Sequence, residues 1–140
     1  MDSVAISRKQ IGGESPIVAS ELFDQCIYSG FFGTIDSARM VAITSKIIQM
    51  VESGDFTVAI IDLSNVDAID SSVATQLVQA SETLSLIGVK TIFCGIRGVI
   101  AMTMVKNGVV LGNITVKKRL KEAVHEALKG LSLTLEKLGA

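Results

Sequence analysis

The chain has 140 residues, and its 13 basic and 14 acidic side chains leave a formal net charge of −1, too neutral a balance for a protein that binds a nucleic acid backbone. No uncharged apolar run is long enough to span a membrane, and the charged amino-terminal residues do not form a signal peptide. We therefore expect a cytoplasmic protein with neither a nucleic acid nor a membrane as its partner. The length predicts one domain.

Short apolar runs alternate along the chain with segments whose apolar residues recur at helical spacing. Residues 1–15 are expected to form a flexible lead-in, and residues 16–140 a single domain with a carboxyl-terminal helix. Strands are predicted at residues 16–20, 25–32, 58–62, 90–94 and 109–111, and helices at residues 36–54, 71–87, 97–106 and 116–129, with an extension of the last helix to residue 138 left open. This order predicts an α/β fold: a mixed, mostly parallel sheet of about four to five strands covered by about four helices.

Two of the predicted strands are followed by the same pattern, an aspartate and a serine that open a helix. Asp36 and Ser37 open one helix, and Asp70 and Ser71, followed by Ser72, open the next. If the two strands are parallel, both serines lie along one rim of the sheet, where free N–H groups of the helix starts can hold a phosphate. The simpler interpretation is that these residues only cap helices.

The sequence offers little support for catalysis. It contains no phosphate-binding loop, dinucleotide-binding glycine motif or kinase signature set. A nucleophilic serine needs a base, and the only histidine, His125, is remote from the serines in sequence and lacks neighbours at metal-ligand spacing. Cys26 and Cys94 lie in apolar runs and are expected to be buried thiols. We therefore predict a phosphate acceptor that is not an enzyme and holds no metal or cofactor.

Three segments carry a resemblance to a known family. Residues 61–71 read Ile-Asp-Leu-Ser-Asn-Val-Asp-Ala-Ile-Asp-Ser, residues 33–39 read Gly-Thr-Ile-Asp-Ser-Ala-Arg, and residues 86–97 read Leu-Ile-Gly-Val-Lys-Thr-Ile-Phe-Cys-Gly-Ile-Arg. The first resembles the phosphorylation loop of STAS domains, the anti-sigma-factor antagonist family. The other two are similar to segments of the stressosome STAS proteins RsbR and RsbS.

The resemblance implies a non-catalytic scaffold and antagonist in a stress-signalling complex, the stressosome, of RsbS type. Such a protein sequesters a serine/threonine switch kinase of RsbT type and assembles with RsbR-type STAS proteins. It would release the kinase on phosphorylation at Ser71, with Ser37 as a secondary site and Ser72 as a less favoured one. The expected partner-binding rim consists of Asp36, Asp62, Asp67 and Asp70.

Two other functions stay open at this stage. One is a simple anti-anti-sigma factor that binds an anti-sigma kinase, or a relative of transporter-linked STAS domains; a small assembly would distinguish it from a stressosome scaffold. The other is a small ligand-binding α/β domain, which would need a deep pocket at residues 62–72.

Apolar content points to self-association. Hydrophobic residues make up 49% of the chain, and the mean hydropathy is +0.52. The predicted helix from Arg97 is apolar nearly all round, so part of its surface either packs under other elements or meets a neighbouring subunit. Its apolar residues are Val99, Ile100, Met102, Met104 and Val105.

Overall fold

The structure, a computed structural model, describes residues 17–110 and 114–137, with side chains as far as residue 131. The predicted lead-in, residues 1–15, and residues 16, 111–113 and 138–140 of the predicted domain lie outside the described residues. The strands are β1 (Ile17–Phe23), β2 (Cys26–Ile35), β3 (Val58–Ile69), β4 (Lys90–Cys94) and β5 (Thr115–Lys117), and the helices are α1 (Ser37–Glu52), α2 (Ser71–Leu86), α3 (Gly98–Lys106) and α4 (Leu120–Lys137).

The five strands form one sheet in the order β1-β2-β3-β4-β5. The edge strand β1 pairs antiparallel with β2, and the other neighbours pair in parallel. The central strands are buried on both faces because they carry nearly continuous apolar runs, as parallel sheets between helices require. The mixed, mostly parallel sheet with four helices predicted from the sequence is thus confirmed.

Helices cover the two faces of the sheet unequally. The larger core cluster brings α1, α2 and α3 onto one face, for example through Ile43, Leu77 and Ile100. On the opposite face, α4 places Ala123 and Ala127 against the smaller cluster, which includes Ile60 and Ile92. The domain is therefore a three-layer arrangement, and the starts of α1 and α2 lie at the carboxyl ends of β2 and β3.

Three predicted elements differ most from the structure, and strands β1 and β2 each also end three residues later than predicted. Strand β3 continues to Ile69 instead of ending at residue 62, because its polar second half still pairs with β2. Val109 and Val110 form no strand: the Val109 N–H donates to the Met104 carbonyl and closes the end of α3 instead. The last strand is β5, so the final helix starts at residue 120, where the Arg119 N–H donates to a Glu122 carboxylate oxygen.

Candidate functional site

The structure brings the starts of α1 and α2 together at one edge of the sheet. Ile35 and Ile69, the last residues of the neighbouring parallel strands β2 and β3, are partners in the sheet register. The Asp70 N–H then donates to the Ile35 carbonyl at 3.3 Å and joins the two strand ends. Because Ser37 and Ser71 each follow their strand end by two residues, both serines lie on this edge, which we call the rim.

The start of α1 is closed by its own side chains. The exposed Asp36 occupies the N-cap, and its carboxylate accepts a hydrogen bond of 2.8 Å from the Arg39 N–H. The Arg39 guanidinium donates to the Thr34 carbonyl at 2.9 Å, and Ser37 is half-buried. The Asp36 carboxylate therefore already occupies the position that an anion would take at this helix start.

The start of α2 is open by comparison. Asp70 occupies the N-cap with extended backbone, as predicted, but its side chain makes no capping hydrogen bond. Asp70, Ser71 and Ser72 are all exposed. The first-turn N–H groups of this 16-residue helix are thus left without a capping side chain, and a helix start of this kind can hold an anion.

Asp67 contributes an exposed carboxylate to the same edge. One of its oxygens lies 3.8 Å from a guanidinium nitrogen of Arg97, and both side chains are more than half exposed. The same nitrogen donates to the Val66 carbonyl at 3.2 Å. The rim therefore presents exposed acidic side chains, and one of them, Asp67, has an arginine next to it.

Asp62 does not belong to this exposed edge, and its assignment to the partner-binding rim needs correction. It is only 7% exposed, because the alternation of β3 points it to the face that carries Ile60, the face covered by α4. The Tyr28 hydroxyl donates to one carboxylate oxygen at 2.8 Å, and the Ser64 hydroxyl and N–H donate to the other at 2.6 and 3.0 Å. Its oxygens are engaged inside the domain.

Three side chains on the face covered by α4 have raised pKa values. Burial, together with the hydrogen bond to Asp62 and its negative charge, raises the pKa of the Tyr28 hydroxyl. Burial and the Asp62 carboxylate likewise raise the pKa of the Cys94 thiol to about 12. Burial alone raises the pKa of Cys26 to about 11. Both cysteines are buried and free, which confirms the prediction of unpaired, buried thiols.

The sequence profile of the STAS domain matches residues 23–127. The chain belongs to the STAS domain family.

Curated STAS relatives include the RsbT co-antagonist protein RsbRA of Bacillus subtilis, 31% identical over 118 residues that make up 84% of this chain and 43% of RsbRA. The chain thus spans less than half the length of that relative. Two solved structures show the same fold. A serine-to-glutamate variant of RsbS from Moorella thermoacetica has a TM-score of 0.69 at 19% identity and covers 83% of this chain and 97% of its own. A chain of a structure described as the molecular architecture of the stressosome has a TM-score of 0.63 at 20% identity. This match covers 84% of the present chain and 98% of the stressosome chain.

A groove of about 670 Å³ opens elsewhere on the STAS domain, between the end of α2 and the start of β4. It includes Ser85 and Lys90 and lies at the end of the sheet opposite the rim. It therefore does not supply the deep pocket at residues 62–72 that a ligand-binding function there would need. None of the described helices is both long and apolar enough to cross a membrane.

Sequence reasoning missed the residues that hold the Asp62 carboxylate, Tyr28 and Ser64. The spacing of Asp62 and Ser64 was a usable signal, because an aspartate side chain often accepts from the backbone N–H two residues later. Tyr28 left no comparable signal, since its role depends on the pairing of β2 with β3.

Proposed function

We propose that this STAS domain is a non-catalytic scaffold and antagonist of a stressosome-type complex, which binds a switch kinase of RsbT type at the rim and releases it when Ser71 is phosphorylated. The observation that carries the proposal is the start of α2. There, Ser71 is exposed at a helix start without a capping side chain, next to the exposed Asp70, and strand β3 carries a second exposed carboxylate, Asp67, shortly before it. A kinase can reach this hydroxyl without any part of the fold moving.

The capping difference favours Ser71 over Ser37. A phosphate on Ser37 would compete with the Asp36 carboxylate, which already accepts from the first turn of α1. A phosphate on Ser71 would meet first-turn N–H groups that no side chain occupies. Such a contact stabilises a negative charge by about 0.3–1 kcal/mol at an exposed helix start. Ser72 is also exposed but stands one residue further into the helix, so we rank it third.

Electrostatic repulsion provides the release mechanism. Phosphorylation adds about −1.5 to −2 charge, and a carboxylate ~5 Å away repels each unit of that charge by ~3 kcal/mol at an effective dielectric constant near 20. Water screens this repulsion on the free domain, so the fold is retained. A kinase docked over Ser71 would exclude that water next to Asp67 and Asp70. A loss of ~3 kcal/mol lowers binding affinity more than a hundredfold.

Relatives support the kinase and the assembly named in the proposal. RsbRA is named an RsbT co-antagonist, and its similarity covers most of this chain. A structural relative is an RsbS variant in which a serine is replaced by glutamate. The proposed role depends on the rim. It is the same for an RsbR-type and an RsbS-type STAS protein.

The decisive experiment uses an RsbT-type kinase, ATP and mass spectrometry to locate the phosphate. We expect phosphate on Ser71 in the wild-type chain and its loss in Ser71→Ala, while Ser37→Ala and Ser72→Ala serve as matched controls that keep it. Ser71→Glu should weaken kinase binding at least tenfold, with thermal stability almost unchanged. Full phosphate incorporation into Ser71→Ala would move the assignment to one of the other two serines.

The exposed side of α3 favours a scaffold over a monomeric antagonist. Ile100 and Met104 are buried against the sheet, but Val99, Met102 and Val105 are 51%, 73% and 76% exposed. These three side chains form a stripe along one side of the helix, and we propose that a neighbouring STAS domain covers it. Light scattering at micromolar concentration, alone and with an RsbR-type protein, tests this. A strictly monomeric mass in both cases would support the simple antagonist instead.

A further inference from the structure

Strand β3 contains two bulges on its way to Ser71. Over the stretch in which Gly30 pairs with Asp62 and Ile35 pairs with Ile69, β2 advances by five residues and β3 by seven. The register therefore shifts at two places. One extra residue of β3 lies between Asp62 and Asn65, and the other between Val66 and Ala68. Bulges are rare between parallel strands, and they redirect the chain that follows them.

The first bulge is held by the Asp62 carboxylate. One of its oxygens accepts from both the N–H and the hydroxyl of Ser64, at 3.0 and 2.6 Å, across the extra residue. The other oxygen accepts from Tyr28 on β2. Asp62 therefore joins the irregular part of β3 to its neighbouring strand at the point where the register changes.

The second bulge is held by Arg97. Pairing between β3 and β4 ends at Asp62 and Cys94, so beyond this point β2 is the only strand that pairs with β3 among the described residues. The Arg97 guanidinium donates to the Val66 carbonyl and lies 3.8 Å from Asp67, at the second register shift. Arg97 thus takes the place of a strand partner along the open edge.

We propose that Asp62 and Arg97 are positioning residues that fix the two bulges of β3 and thereby set the position of Ser71 for phosphoryl transfer. The role of Ser71 in this inference rests on the proposed function. The control of the path of β3 by Asp62 and Arg97 rests on the contacts alone. Neither residue touches the phosphoryl group, and each acts through the backbone between Ser64 and Ile69.

The first arm of the test measures backbone amide hydrogen exchange by NMR, without a kinase. In Asp62→Ala we expect exchange at Ser64 and at residues 65–70 to be at least about tenfold faster, because a charge-assisted hydrogen bond is lost. Asp62→Asn keeps an oxygen that can accept from Ser64 and should restore slow exchange. Cys26→Ala is the matched control, since it removes a buried side chain at the distant end of the same face.

Arg97 is tested in the same way. Arg97→Ala should speed exchange at residues 66–70 and leave Ser64 slow, whereas Lys106→Ala, which removes an exposed positive charge at the other end of α3, should change neither. If exchange in Asp62→Ala rises only at Ser64, or if Asp62→Asn fails to restore it, the bulge does not govern the segment and the inference is overturned.

The second arm measures phosphorylation of Ser71 by an RsbT-type kinase. A misplaced acceptor hydroxyl lowers kcat by on the order of tenfold to a hundredfold, with a smaller change in KM, and Asp62→Asn should recover most of the rate. An unchanged kcat in both Asp62→Ala and Arg97→Ala would overturn the positioning role. If the wild-type chain takes no phosphate on Ser71, the proposed function fails, and the exchange arm still decides whether the two residues set the course of β3.

Discussion

Gly95 lies against the Asp62 cluster, and replacing it with alanine should destabilise the domain strongly. A Cβ at this position would lie 2.7 Å from a carboxylate oxygen of Asp62 and 2.8 Å from both the Cβ and the backbone nitrogen of Ser64. The Gly95 φ of +69° adds a conformational cost of about 1–2 kcal/mol for any other residue. Steric overlap with backbone adds about 1–3 kcal/mol. We expect a total loss of about 2–5 kcal/mol in the free energy of unfolding.

Gly88 provides the matched control. Its φ of +85° is similar, but a Cβ there meets no atom within 4 Å, so Gly88→Ala should lose only the conformational part, about 1–2 kcal/mol. Urea denaturation of both variants measures the difference, and thermal unfolding should show about 3 °C per kcal/mol for a domain of this size. Equal destabilisation of the two variants would refute the close approach of Gly95 to Asp62 and Ser64.

Three further predictions concern the helix caps, the thiols and the stripe on α3. Asp36→Ala should cost about 1 kcal/mol because it removes a capping acceptor, whereas Asp70→Ala should cost much less because that side chain caps nothing; thermal unfolding compares them. The buried thiols Cys94 and Cys26 keep their protons up to pH values near their raised pKa values of about 12 and about 11, while unfolded thiols ionise near 9.0. The free energy of unfolding should therefore be constant below pH 9 and fall above it, by up to about 1.4 kcal/mol per pH unit for each thiol. Urea denaturation at several pH values should show a smaller fall in Cys→Ala variants than in the wild type. Met102→Glu should reduce the assembled mass in light scattering without lowering the thermal midpoint, since Met102 is 73% exposed; an unchanged mass would exclude the stripe as the contact.

The accuracy of the sequence predictions depended on how clearly each element was bounded. Strand β4 was predicted at its observed bounds, and α2 to within one residue, because an apolar run or a helical period is followed by glycine in each case. Strand β5 was missed because three residues carry too little periodicity to distinguish a strand from the start of a helix.

The second half of β3 shows why the rim could be predicted only in part. Ser64, Asn65 and Asp67 interrupt the apolar pattern, so the strand was predicted to end before them, although Leu63 and Val66 are buried. Two bulges shift the alternation, and no periodic pattern in one sequence reports them. The exposed start of α2 was predictable from Asp70 and Ser71. The burial of Asp62 was not, because it depends on contacts with another strand.

The unequal cover of the sheet makes its two faces unequal in local stability. Among the described residues, the face with the smaller cluster is covered by a single helix, α4, which places Ala123 and Ala127 against it, whereas three helices share the other face. A segment with fewer packed neighbours opens at a lower free energy than the rest of a domain. Detachment of α4 alone would expose Cys26 and Cys94 while the rim stays folded. The two thiols are thus native reporters of sub-global opening, and their labelling rate measures how often the domain exposes the layer beneath its last helix.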